Sequence, residues 1–335
     1  MKLMFELSKE QKTLPCAEIQ ACLHAEDIAF TVVDSNEDVF IVETKADDRT
    51  IPILAQRLGF TFMIDEFLFS CSNSLDDISR SAKTHPLVQE GSIAIRYKNR
   101  CSSMDSHQLV DVLGSWYTKN RSVNLRHPDI ELRALVTETS AYIGLKKAEV
   151  DTSQYQERRA HHRPFFSPIS LHPKIARALV NLASVRKNEI VLDPFCGTGG
   201  ILLEAGLIGA RVVGNDVEGK MIEGCKKTLE FYKINNMELM CYDIGEIPQR
   251  VTRVDAVVTD FPYGKATTTK GEHRTALYDR AFEAIFKVLK KNGKAVVGLS
   301  ERPLISLGEN YLSCKEVHVF RVHRSMTRFF VVYQK

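Results

Sequence analysis

The sequence predicts an α/β protein. Its C-terminal half reads as a doubly wound parallel sheet ending in an antiparallel hairpin, and two smaller α+β units precede it. Three observations predict this. From residue 171 onward, short apolar runs alternate with helix-length segments, as in a parallel sheet covered on both faces. The final stretch, KEVHVFRVHRSMTRFFVVYQ, holds two strand-like runs with no helix between them. The first 70 residues read strand, helix, strand, strand, helix, strand, the order of a ferredoxin-like α+β unit.

In that first unit KLMFEL is strand-like, and CAEIQACLHAE spaces Ile19, Cys22 and Leu23 as a helix does. IAFTVVD and DVFIVET are β-branched runs around the turn residues Ser35, Asn36 and Glu37. TIPILAQRLG is helical with Gly59 as its stop, and FTFMIDEFLFS closes the unit. Residues 71–150 form a second mixed unit. SIAIRYK is a strand, DSHQLVDVLGSWYTKN a helix capped by Asp105 or Ser106, and IELRALVTETSAYIGLKK a hairpin. Residues 151–170, rich in Arg, His and Pro, are expected to be a linker. In the last unit, residues 171–335, HPKIARALVNLA leads to EIVLD, GGILLEAGLIG to RVVGND, and EGKMIEGCKKTLEFYK to MELMCYD. VDAVVTD, YDRAFEAIFKVLK and KAVVGLS follow.

A chain of 335 residues with 44% hydrophobic composition can build two or three cores. Forty-five Lys and Arg against 42 Asp and Glu leave a formal charge of +3, which neither requires nor excludes a nucleic-acid partner. Eight cysteines without a CxxC pair read as reduced thiols of a cytoplasmic protein. His161-His162 lacks a third ligand, so no metal is expected. No apolar run approaches the ~18 residues of a spanning helix. The charged start MKLMFELSKEQK is not a signal peptide, so no membrane partner is expected either.

Ligands of open α/β sheets bind beyond the carboxyl ends of the strands, and four strands here end in polar residues. DPFCGTGG puts Asp193 at a strand end and Gly197, Thr198, Gly199 and Gly200 in the turn into a helix. Asp216 ends the second strand about twenty residues on, the spacing of a ribose-binding carboxylate. Asp243 ends the third and can accept the amino hydrogens of an adenine. VTDFPYGKA ends the fourth, with a carboxylate, a proline and an aromatic ring where a strand stops. An Asp after a strand is most often a helix cap, but four such strands in succession need a further reason. A dinucleotide dehydrogenase does not supply it, because the third glycine of G-x-G-x-x-G falls on Leu202 and the DFPY stretch has no role there.

DPFCGTGG, Asp216, Asp243 and DFPY together resemble class I S-adenosylmethionine-dependent methyltransferases acting on amino nitrogens. With the N-terminal architecture and HHRPFFSPISLHPKIARALVNLA, the chain is similar to the THUMP-containing tRNA guanine-N2 methyltransferases, above all the archaeal enzymes that modify guanine 10. The resemblance implies a ferredoxin-like domain at 1–70, a THUMP RNA-binding domain at 71–150 and a Rossmann-like catalytic domain at 171–335. It implies S-adenosyl-L-methionine held by Asp193, Phe195, Gly197, Thr198, Gly199, Asp216, Val217, Asp243 and Ile244. Catalysis would fall to Asp260, Phe261, Pro262 and Tyr263, with Tyr263 stacking on the target base. The partner would be tRNA, met by a monomer through Arg96, Lys98, Arg100, Lys119, Arg121, Arg126 and Arg163. Arg321, Arg324 and Arg328 alternate along the last hairpin and would add to that surface. Cys196 is expected to pack rather than attack, since the Pro-Cys step of cysteine-dependent RNA methyltransferases is missing. Phe261 stands where a first proline is usual, so the loop is expected to be held less rigidly than in the family.

Overall fold

A computed structural model of the chain describes residues 1–165, 170–263, 273–323 and 326–335. The chain divides into two compact units, each gathered from separate stretches: residues 1–10, 28–56 and 61–151 in the first, and residues 11–27, 57–60 and 152–335 in the second.

The N-terminal elements are β1 (Lys2–Leu7), α1 (Leu14–Ala25), β2 (Phe30–Ser35), β3 (Val39–Thr44), α2 (Thr50–Arg57) and β4 (Thr61–Ser72). They are followed by α3 (Leu75–Thr84), β5 (Ile93–Asn99), α4 (Ser106–Tyr117), β6 (Ile130–Val136) and β7 (Ser140–Glu149). The first unit's sheet runs β2-β3-β1-β4-β7-β6-β5. Its β2-β3-β1-β4 half is antiparallel throughout, the ferredoxin-like arrangement expected. The 12-residue β4 serves both halves, pairing β1 along one edge and β7 along the other, from Met63↔Glu149 to Ser72↔Ser140. Helix α3 was not anticipated. Its start is marked locally by Ser74, whose side chain accepts from the Asp77 N–H at 3.2 Å, and by Asp76 and Asp77 in the first turn. Asp105 rather than Ser106 caps α4, accepting from the His107 and Gln108 amides at 2.7 and 3.2 Å.

The second unit carries α5 (Ser153–Glu157), α6 (Pro173–Leu182), β8 (Ile190–Asp193), α7 (Gly200–Leu207), β9 (Arg211–Asn215), α8 (Gly219–Phe231) and β10 (Met237–Met240). Then come α9 (Ile247–Arg250), β11 (Val254–Asp260), α10 (Arg274–Val288), β12 (Leu289–Leu299), α11 (Ile305–Glu309), β13 (Ser313–His323) and β14 (Met326–Gln334). Its sheet runs β10-β9-β8-β11-β12-β14-β13. The first five strands are parallel, and β14 lies antiparallel between β12 and β13. Strand order reverses between β8 and β11, the switch point at which such sheets bind ligands.

Two apolar layers cover this sheet. One holds Leu179, Leu202, Val258, Val296 and Phe330, and the other Leu192, Val257, Tyr278, Phe282 and Val331. Helix α1, early in the chain, packs on α6 within this unit. Its fully buried Glu18 accepts from the amides of Gly59 (3.0 Å) and Phe60 (2.9 Å) and from Asn181 Nδ2 (2.9 Å). Burial raises this carboxyl above the ordinary range, and the three donors oppose that rise. The position thus joins α1, the 57–60 turn and α6 through one side chain.

Candidate active site

At the end of β8 the chain turns sharply through Gly197 and Gly199, with φ of +51° and +81°. Only glycine adopts these angles without strain. Gly199 is held doubly, because a Cβ there would lie 2.6 Å from Cys225 Sγ. A Cβ on Gly197 would meet nothing within 4 Å, so open space lies beside that turn. The Gly197 N–H donates to one Asp216 oxygen at 3.0 Å and the Glu218 N–H to the other at 2.9 Å. The glycine turn after β8 and the carboxylate after β9 are thereby locked to each other. Burial raises the Asp216 carboxyl. It also pushes Asp193 up to about 7, against the Phe195 N–H that donates to it at 3.1 Å.

Asp243 is a cap as well as a strand-end carboxylate. It accepts from the Gly245 N–H at 2.9 Å and is gripped by Arg280 at 2.6 and 3.3 Å. Phe195 and Val217 are half-buried, while Thr198 and Ile244 are buried. Cys196 is buried, as the packing reading expects.

Sequence reasoning missed Asn215. It is buried at the end of β9, donates to the carbonyls of Pro194 (3.3 Å) and Tyr242 (3.0 Å), and accepts from the Tyr242 N–H at 3.0 Å. One amide side chain therefore ties together the ends of β8, β9 and β10. The signal was an Asn at the last position of an apolar strand, where a polar side chain needs partners.

The DFPY stretch begins at the end of β11. The Phe261 N–H donates to the Gly298 carbonyl of β12 at 3.0 Å. The Phe261 ring is fully buried among Phe195, Tyr278 and Phe282, at centroid distances of 5.3, 4.7 and 5.1 Å. The Tyr278 hydroxyl donates to the Pro262 carbonyl at 2.6 Å. The loop expected to be less rigid for want of a proline is instead anchored by a backbone bond, an aromatic cluster and a hydroxyl. Residues 264–266 of the same stretch lie outside the described residues.

Arg328 also departs from expectation. Rather than joining an RNA-facing surface, it is 1% exposed and ion-paired to Asp260. In β14 its side chain falls on the same side as Phe330 and Val332, by simple alternation. That periodicity in TRFFVVYQ was the available signal. Gly298 makes the pair possible. It sits opposite Asp260 in register, and a Cβ there would run into Asp260 Oδ1 and approach Arg328 Nη2 to 3.2 Å. The Arg328 guanidinium lies under the Tyr263 ring, 3.7 Å from its centroid, and burial lowers its pKa to about 9. Arg321 is exposed, and Arg324 lies outside the described residues.

Of the basic residues expected to meet RNA, Arg96, Lys98, Lys119 and Arg126 are exposed on the first unit, with Lys119 over the Trp116 ring at 4.8 Å. Arg121 is half-buried and donates to the Leu87 carbonyl at 3.0 Å. Arg100 is turned inward, paired to Asp38 and to Glu6 (3.0 Å). Arg163, in the second unit, is buried beside the start of α7 and donates to the Arg158 carbonyl at 2.8 Å.

A five-stranded parallel sheet reversed at its centre, with an antiparallel strand slid in next to its edge, is the class I methyltransferase fold, and the glycine turn, the carboxylates and the DFPY stretch all stand at or follow the carboxyl ends of its strands. Comparison with known proteins agrees. Residues 160–329 match the family model described as RMKL-like, methyltransferase domain. The chain is 34% identical to the tRNA (guanine(10)-N2)-dimethyltransferase of Methanothermobacter thermautotrophicus, covering 100% of both chains. It is 32% identical to the enzyme of the same name from Methanocaldococcus jannaschii, over 82% of this chain and 79% of the other. The crystal structure of TrmN from Thermus thermophilus shares the fold at a TM-score of 0.56 and 18% identity, covering 100% of each chain. The chain belongs to the family of these archaeal methyltransferases.

The residues present fit S-adenosylmethionine. Open space lies at Gly197, a fixed carboxylate stands at Asp216, and the half-buried apolar Phe195 and Val217 follow the ends of β8 and β9.

Proposed function

We propose that the protein methylates the exocyclic N2 amine of guanine 10 in tRNA, forming N2-methyl- and N2,N2-dimethylguanosine. The observation that carries this is the Asp260-Phe261-Pro262-Tyr263 stretch, anchored through Phe261 and Pro262 at the end of β11 and next to the strand whose turn would hold the donor. S-Adenosylmethionine, when bound, supplies an electrophilic methyl group on a sulfonium. Asp193, Asp216 and Asp243 would hold it, with Phe195, Gly197, Thr198, Gly199, Val217 and Ile244 around it.

The amine of guanine is a weak nucleophile because its lone pair is delocalised into the ring. The Asp260 carboxylate and the Phe261 carbonyl accept its two hydrogens and turn the lone pair out of conjugation. Placing both reactants in line supplies much of the rate. As the nitrogen–methyl bond forms, the methyl–sulfur bond would break to leave a neutral thioether, and the carboxylate favours the positive charge that develops on nitrogen and takes the proton it then loses. Tyr263 stacks on the base once it has left its own stack, worth about 1–3 kcal/mol. Residues 71–150 serve as a THUMP domain, whose exposed Arg96, Lys98, Lys119 and Arg126 meet the acceptor stem and 3′ end by phosphate contact and shape.

Transfer of tritium from labelled donor into bulk tRNA, followed by nucleoside analysis, tests this reading. N2-methylated guanosines are the expected products. Asp260→Ala should lower turnover by about 10²–10³, the usual effect of removing one preorganised electrostatic group, while donor affinity stays unchanged. Labelled adenosine or cytidine products, or full turnover by that variant, would overturn it.

A further inference from the structure

We propose that Arg328 is the residue by which the site tells guanine from adenine: its guanidinium donates to the O6 carbonyl while Asp260 beside it takes the N2 amine. This rests on the functional reading above and extends it to base selection.

Three observations lead here. Arg328 is 1% exposed, and while Nη2 meets Asp260, Nε and Nη1 make no hydrogen bond among the described residues. Buried guanidinium nitrogens normally have acceptors, and those without one in an active site point to a ligand atom that supplies it. Second, the charge it pairs with is the clamp's own carboxylate, Asp260. A donor group and an acceptor group thus stand side by side on one face of the sheet, over a glycine that leaves room for both. Third, the clamp's aromatic ring covers the guanidinium, with Tyr263 at 3.7 Å from Cζ. Turning that ring aside to stack on an incoming base uncovers the donor at the moment the base arrives.

The Watson–Crick edge of guanine runs acceptor, donor, donor: O6, N1–H, N2–H. Arg328 supplies a donor for O6 at one end of this edge, and the Asp260 carboxylate with the Phe261 carbonyl supplies the two acceptors for the N2 hydrogens at the other. The adenine edge begins with an amine at position 6 and sets an N–H against the guanidinium, leaving its remaining buried N–H groups without an acceptor. Sites that hydrogen-bond a substrate group reject analogues lacking it far more strongly than apolar pockets do.

The test uses the full-length protein and tRNA transcripts carrying guanine or 2-aminopurine at the modified position. 2-Aminopurine keeps the N2 amine but lacks both O6 and the N1–H, so it is the change of preference in Arg328 variants that assigns the discrimination to O6. Wild-type protein should prefer guanine by roughly 10–100-fold in kcat/KM, the range for one hydrogen bond to a charged group. In Arg328→Met and Arg328→Lys the preference should collapse to within about 3-fold, even though Lys retains a positive charge for Asp260. Were Arg328 only a support for Asp260, both variants would slow the two substrates equally and leave the preference standing, which overturns the inference. Equal use of the two bases by wild-type protein overturns it without any variant. Wild-type protein that leaves the guanine amine unmethylated, by contrast, would refute the functional reading itself and the inference with it.

Discussion

Phe261 stands where the sequence resemblance leads to the expectation of a proline. A proline restricts the backbone but has no N–H to offer. Phe261 keeps its N–H, which bonds the Gly298 carbonyl, and buries a ring against Phe195, Tyr278 and Phe282. Phe261→Pro should therefore destabilise the second unit by about 3–5 kcal/mol, as loss of a buried Phe does elsewhere. Denaturant melts would show this, and turnover should fall rather than rise. Asp193 predicts a pH effect of definite sign. Its folded pKa of about 7 lies above that of the unfolded chain, so between pH 4 and 7 the folded protein holds a proton the unfolded one has released. Stability then falls as pH rises through that window. Buried Asp65 of the first unit acts in the same direction. Melts at pH 4.5 and 7.5 should differ less in Asp193→Asn, which removes its share of the slope.

Among elements, α10 does more than cover the sheet. Tyr278 and Phe282 reach from it into the aromatic cluster, Tyr278 fixes the Pro262 carbonyl, and Arg280 grips Asp243. One helix therefore sets both the clamp after β11 and the carboxylate after β10. Tyr278→Phe keeps the ring and removes only the hydroxyl. It should cost about 1 kcal/mol of stability, measurable by thermal unfolding, and lower kcat more than it changes donor affinity. An unchanged kcat would mean that the Pro262 carbonyl needs no support.

For the whole molecule, the noteworthy feature is that the second unit is not a continuous half of the sequence. Helix α1 and residues 57–60 belong to it, joined to α6 by Glu18, Asn181 and the amides of Gly59 and Phe60. A fragment of residues 152–335 would lack that helix, bare the apolar face of α6 and leave Asn181 short of partners. It should unfold at a markedly lower temperature than the same unit in the full chain, or fail to stay in solution. Calorimetry on fragment and full chain decides this. A fragment as stable as the intact unit would show that α1 contributes nothing to it.

Local pattern alone determined most of the elements here and their order, because strand alternation, helix spacing and turn residues act over a few positions. It also placed Asp193, Gly197, Gly199, Asp216, Asp243 and DFPY at strand ends, since those ends are where apolar runs stop. Tertiary structure alone decided that Arg328 meets Asp260 across Gly298, that Arg100 and Arg163 point inward, that Asn215 ties three strands, and that α1 sits with residues far along the chain. Apart from the bond of Arg163 to Arg158, each of these is a pairing between positions tens to hundreds of residues apart. Nothing in the local sequence specifies a partner at that distance, and only packing and the need to satisfy buried polar groups select it.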